Sequence, residues 1–194
     1  MTEELEHKSK VHPKKFSLWL LLLSILMLFA GLTSAYIVRK GDGNWFNFQM
    51  PPAFFYSTLV VLASSISLIL AFRALKAGDK NKSILGLVVT IVLALGFVLS
   101  QYMGWKAMQG EGLYFVNPKF GDKVSASFLL AIAGIHLVHI FAGIIYLFSI
   151  LFRVSRNKIN LNNTLSFEMC NTYWHFVGIL WVYLYLFLYF APDF

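Results

Sequence analysis

Five long stretches of this 194-residue chain contain no Asp, Glu, Lys or Arg: Phe16–Val38, Gly43–Phe72, Ser83–Trp105, Val124–Phe152 and Met169–Pro192. Each is at least 23 residues long. A bilayer core about 30 Å thick is crossed by about 20 helical residues at about 1.5 Å rise per residue. A helix satisfies its own backbone hydrogen bonds, so it can cross a medium that offers none. The runs lack the strict alternation and short turn spacing of membrane strands, which argues against a barrel. The pattern predicts an all-α polytopic membrane protein. A basic tail over 1–15 leads into a single domain, 16–194, that bundles five transmembrane helices at about 16–38, 53–75, 83–105, 124–152 and 168–190.

Composition agrees: 58% of residues are hydrophobic and 13% charged, against about 45–50% and about 25% in soluble domains. The first run is too long for the apolar core of a signal peptide, and no typical small-residue cleavage site follows it. The single cysteine, Cys170, excludes an internal disulfide and reads as a small packing residue.

The net charge of +7 is unevenly placed. Eleven basic residues, from Lys8 through Lys15, Arg73 through Lys82 and Arg153 through Lys158, fall before helix 1, between helices 2 and 3, and between helices 4 and 5. Five, Arg39, Lys40, Lys106, Lys119 and Lys123, fall on the other side. The positive-inside rule then predicts a cytoplasmic N-terminus and an outer C-terminus. Charge in juxtamembrane loops serves anionic lipid headgroups, so nucleic-acid binding is not implied. Trp45, Phe46 and Phe48, in the loop before Pro51–Pro52, suit the membrane interface. No loop is long enough for a soluble catalytic domain. Function therefore lies within the membrane or in contact with other chains.

Small residues recur at spacings of four: Gly31 and Ala35 on helix 1; Ala63, Ser67 and Ala71 on helix 2; Gly86, Thr90 and Ala94, then Gly96, Ser100 and Gly104, on helix 3. Such rows let helix backbones approach closely. Two rows on helix 3 predict that it packs on two neighbours. Gly143 shares a face with His136 and His139 on helix 4.

Ionisable groups within membrane helices usually face protein or water. The candidates are His136 and His139 on helix 4, and Glu168 and His175, one heptad apart, on helix 5 beside Trp174. If these faces meet, helices 4 and 5 carry an internal polar seam, or the residues contact lipid. Three histidines and a carboxylate could instead hold a metal, or two histidines a haem. Bundle metal sites normally show several inward carboxylates or Glu-x-x-His pairs, and "GIHLVHI" has no Glu at either flank. The paired broken helices or inverted repeats of a transporter are not visible.

Helix 5, "FEMCNTYWHFVGILWVYLYLFLYF", resembles the last helix of subunit III of the haem–copper oxidases. "GIHLVHIFAGIIYLF" is similar to the helix before it, and "LWLLLLSILMLFAGLTSAYIV" to an upstream one. The segment from Phe54 to Trp105 fits the two helices between. The likeness spans about residues 16–190, in order, in the short five-helix form common in bacterial oxidases. It implies an accessory, non-catalytic subunit of an oxygen-reducing, proton-pumping cytochrome c or quinol oxidase in a bacterial cytoplasmic (inner) membrane. This chain would hold no cofactor. Haem and copper would reside in partner subunits. The chain would pack on subunit I, within reach of subunit II and a small subunit IV, bind phospholipid, support sustained proton uptake, and take part in a respiratory supercomplex. His136, His139, Glu168 and His175 would be the family's internal polar residues.

Three positions depart from the family pattern. Ser-Glu in the first of these helices reads Ser24-Ile25, the Asp after Trp-His-Phe-Val is Gly178, and an acidic position near the end of helix 3 reads Tyr102-Met103-Gly104. Direct proton carriage is therefore disfavoured. The alternatives are a subunit III-like partner of a nitric oxide reductase, or a membrane cytochrome ligated by His136, His139 and His175.

Overall fold

The computed structural model describes residues 12–41, 50–110, 124–159 and 163–190. Every regular element among them is an α-helix: α1 (Pro13–Lys40), α2 (Pro52–Lys76), α3 (Lys80–Gly110), α4 (Val124–Ser155) and α5 (Leu165–Phe190). All five are long and apolar enough to cross a membrane. Most run past the charge-free stretches, because Lys and Arg at a helix end carry their heads toward water on apolar stems. The expected interfacial aromatics Trp45, Phe46 and Phe48 lie outside the described residues.

The helix ends follow from local sequence. Pro13 opens α1, where its missing N–H is no loss. Arg39 and Lys40 close α1, and Arg73 and Lys76 close α2, each favourable at the negative end of a helix dipole. Gly78 takes φ +82° in the tight turn after α2. Asp79 then caps α3: its Oδ1 accepts from the Lys82 N–H at 3.1 Å. The Lys82 ammonium, hydrogen-bonded to Asp79, holds that carboxyl below its ordinary range. Lys80 crosses to α4 and donates to the Ser155 carbonyl at 2.8 Å, satisfying an open C-terminal acceptor.

α2, α3, α4 and α5 form a ring in which each helix packs on the next and α5 returns to α2. α1 leans on the outside, against α4 and α5. Its inner face is Leu18, Leu22, Ile25, Phe29, Thr33 and Tyr36. The Gly31–Ala35 row lies on its exposed face, with nothing within 4 Å of a Cβ placed on Gly31. The close-packing role expected for that pair is therefore not seen within the chain. The row misled because small size says nothing about which side is covered, while the bulky residues one step around the helix bury more area.

The α2–α3 contact is the tightest. A Cβ on Gly86 would stand 2.7 Å from the Ala71 Cβ, and one on Gly104 2.9 Å from the Phe54 ring. Ser67 donates to the Gly86 carbonyl at 3.0 Å, and Ser100 to that of Ala53 at 2.8 Å. Gly86 thus sits on the α2 side together with Gly96, Ser100 and Gly104. α3 packs on α2 and on α4, the two neighbours that its two rows predict. A row at spacing four drifts about 40° per step, since each residue turns about 100°. Gly86 and Gly104, eighteen residues apart, therefore share one face after about five full turns. On α4, a Cβ on Gly143 would meet the Trp174 ring at 3.0 Å.

Candidate functional site

α5 carries the densest set of polar and aromatic side chains, and the ring of helices sorts them by direction. Toward α2, Trp174 donates its indole N–H to the Ser64 hydroxyl and Trp181 to that of Thr58, each at 3.1 Å. The donors are seven residues apart on α5, and the acceptors six apart on the antiparallel α2. Gln101 of α3 reaches the same helix and donates to the Ser57 hydroxyl at 2.8 Å. Toward α4, Tyr173 donates to the His139 carbonyl, and Tyr146 of α4 donates back to that of Ser166, both at 3.0 Å. Toward α1, Tyr183 and Thr33 hydroxyls pair at 3.1 Å.

The predicted ionisable residues do not join into one seam. Glu168 faces α1, where the Lys15 ammonium donates to its Oε2 at 2.8 Å and the Thr164 hydroxyl to its Oε1 at 3.0 Å. His175 is hydrogen-bonded to Asn171 one turn back, at 3.1 Å. His139 donates from Nδ1 to the Ile135 carbonyl of its own helix at 2.8 Å. His136 is 1% exposed, and among the described residues neither ring nitrogen has a hydrogen-bond partner. It is walled by Phe29, Phe97 and Trp181, with ring centroids 5.2–6.2 Å away. Glu168 and His175 follow the face of α5 that looks between α1 and α2, so the seam expected between helices 4 and 5 is replaced by an α1–α5 ion pair and an aromatic cage. A heptad spacing aligns residues along a helix but does not say which neighbour they meet.

Among the described residues no three of His, Cys, Asp and Glu stand together in a way that could hold a metal ion. His136, His139 and His175, the ligands of the alternative cytochrome reading, make the separate contacts given above. Cys170 is a buried free thiol in the core, as its packing reading has it. The partners that sequence reading missed are the α2 hydroxyls and Lys15. Ser57, Thr58, Ser64, Ser65 and Ser67 cluster within one stretch of an apolar helix, which is the one signal that pointed to them.

Gly178 faces α2: a Cβ there would stand 3.3 Å from the Ser65 hydroxyl. A carboxylate at that position requires the Ser65 side chain to give way. Ile25 is buried in the inner face of α1. Both departures from the family pattern are thus built into the packing.

These features define a multi-pass α-helical membrane protein in which tryptophans and tyrosines of α5 join it to its neighbours. The chain belongs to the subunit III family of the haem–copper oxidases: the family model described as cytochrome c oxidase subunit III matches residues 47–192. It is 28% identical over 181 residues to cytochrome c oxidase subunit 3 of Bacillus sp. (strain PS3), covering 91% of this chain and 84% of that protein. It is 33% identical over 137 residues to the probable cytochrome c oxidase subunit 3 of Rickettsia prowazekii (strain Madrid E), covering 70% and 46%. With the same subunit of Bos mutus grunniens it shares 31% over 133 residues, covering 69% and 48%. The chain thus spans most of the Bacillus protein and about half the length of the other two.

Proposed function

We propose that this chain is an accessory subunit of a proton-pumping terminal oxidase in a bacterial cytoplasmic membrane. It buttresses subunit I, holds phospholipid, and bears no redox centre of its own. The carrying observation is where the polar side chains of α5 are spent. Trp174, Trp181 and Tyr173 each tie α5 to a neighbouring helix, and His136 is sealed among rings. A membrane helix so occupied holds a shape for others. Ile25 and Gly178 leave both positions without a carboxylate, so proton uptake is sustained indirectly, through the support given to subunit I. Haem and copper belong to the partner chains.

Lipid binding draws support from an apolar groove of about 550 Å³ between α1, α4 and α5, walled by Leu18, Leu21, Ala142 and Met169, with Lys14 and Tyr146 also on its lining. A groove of that volume suits acyl chain, and a cation beside it suits phosphate. Subunit I is assigned to the outer surface because α1 is the least enclosed helix, with Trp19, Leu23 and Met27 all exposed.

Purification through a tag on this chain tests the reading. Co-purification of a haem- and copper-bearing oxidase, with loss of sustained turnover when the chain is deleted, is expected. Stoichiometric haem or copper on the isolated chain, or turnover indifferent to its deletion, overturns it.

A further inference from the structure

We propose that the furrow along α5, between α1 and α2, is a docking face for a transmembrane helix of a neighbouring subunit. That helix carries a carboxylate at the basic end of the bundle and, about one heptad deeper, a side-chain hydrogen-bond donor aimed at His175. The proposal rests on the accessory-subunit reading above and names the face and the chemistry of the partner.

The furrow follows from the packing. α1 and α2 both pack on α5 and make no comparable contact with each other. The strip of α5 between them is Glu168, Asn171, His175, Ile179, Val182 and Leu186, none of them buried. Their spacing of three and four is that of a seam between two helices. From Glu168 to Leu186 the strip runs about 27 Å, nearly the thickness of a bilayer core.

His175 is what hydrocarbon leaves unsatisfied. It lies about 15 Å from the start of the 26-residue α5, near its middle. Its Nε2–H donates to the Asn171 carbonyl oxygen at 3.1 Å, so Nδ1 is left as an acceptor. Among the described residues nothing donates to that nitrogen, and the ring is half-buried. Acyl chain offers no donor, and polar groups at such depth face protein or water. Beyond His175 the strip is apolar through Ile179, Val182 and Leu186. A water-filled path is a poor match for that run. An apolar helix with one polar side chain at the level of His175 matches the whole strip.

The basic end of the furrow sets the charge of the partner. There it opens into a cavity of about 320 Å³, walled by Lys15 and Trp19 of α1, Phe72 of α2 and Glu168 of α5. Lys15 spends one of its three donors on Glu168 at 2.8 Å, and its side chain stays 43% accessible. Lys76 lies 4.5 Å over the Phe72 ring. Two cations face one carboxylate, and a second carboxylate, on the partner, offsets the excess. Glu168 and His175 are one heptad apart, about 10 Å along the axis. A helix lying in the furrow meets both places with residues at the same separation.

The test uses the purified oxidase complex with photoreactive benzoylphenylalanine in place of Ile179, which is 68% exposed in this chain. Irradiation and peptide mass spectrometry are expected to find it joined to a transmembrane peptide of another subunit. That peptide should carry Asp or Glu and, about one heptad away, a hydroxyl or amide side chain. His175→Leu, which removes the acceptor, should raise the fraction of this chain lost from the complex in detergent about threefold. That is the factor supplied by a mean hydrogen bond between membrane helices. His175→Gln, which keeps a carbonyl acceptor, should lose no more than the wild type. If His175→Leu does not assemble, the cross-link decides alone. Cross-links to lipid, to a second copy of this chain or to a helix without the two groups overturn the proposal, as does equal loss of the leucine and glutamine variants. The accessory-subunit reading stands in those cases if other subunits still co-purify. A chain that co-purifies with no other subunit overturns both.

Discussion

Trp174 and Ser64, 110 residues apart in the chain, are joined by an indole N–H to hydroxyl hydrogen bond of 3.1 Å in the buried core. Trp181 and Thr58 repeat it one heptad along α5. In hydrocarbon surroundings no hydrophobic force draws one helix to another, so close packing and a few interhelical hydrogen bonds decide which faces meet. Two tryptophans on one face of α5, matched to two hydroxyls on one face of α2, fix both the register and the rotation of that pair.

Trp174→Phe and Ser64→Ala are each expected to lower the thermal midpoint of the purified complex. A double-mutant cycle should return a coupling of about 0.6 kcal/mol, the mean for hydrogen bonds between membrane helices. Strictly additive losses would mean that the bond contributes nothing beyond the volume of its partners.

Gly86→Ala should be destabilising, by about 1–3 kcal/mol, since the new methyl would stand 2.7 Å from the Ala71 Cβ and 3.0 Å from its Cα. Backbone cannot yield there as a flexible side-chain tip would. Gly31→Ala, with nothing within 4 Å, should leave the stability of the isolated chain unchanged. Equal thermal midpoints for the two variants in detergent would contradict the α2–α3 contact described.

Lys15→Met and Glu168→Ala should each loosen α1 from α5, by about 0–1 kcal/mol for so accessible a pair. The exchanged pair Lys15→Glu/Glu168→Lys should recover most of the loss. Amide hydrogen exchange at the start of α1 reads the effect. Exchange that is the same in the single variants and the exchanged pair would show that the contact does not hold the helix.

His136→Leu is expected to leave assembly intact and stability unchanged or slightly raised. It removes a buried polar ring with no hydrogen-bond partner among the described residues and keeps an apolar side chain within the cage of Phe29, Phe97 and Trp181. The Soret band of the complex should not move. Loss of that band would make His136 a haem ligand and reverse the functional reading.

The five spans were legible because burying unpaired charge or backbone in hydrocarbon is prohibitive, so charge-free length alone marks a crossing. Family resemblance was legible for a related reason: the aromatic and small residues of α5, including Trp174 and Trp181, are the same ones that lock it to α2. The charged ends of the helices were less legible, because long cationic side chains let a helix continue past its apolar run.

Sequence by itself determined that this chain is a five-helix membrane protein of an oxidase subunit family, with its few intramembrane ionisable groups on helices 4 and 5. Only the tertiary structure decided what those groups meet: Lys15 for Glu168, an aromatic cage for His136, α2 hydroxyls for the tryptophans, and open surface for Gly31. The physical reason is that periodicity fixes where a residue lies around its own helix. The neighbour on that side is set by how five helices share their faces, a choice made by contacts between residues far apart in the chain.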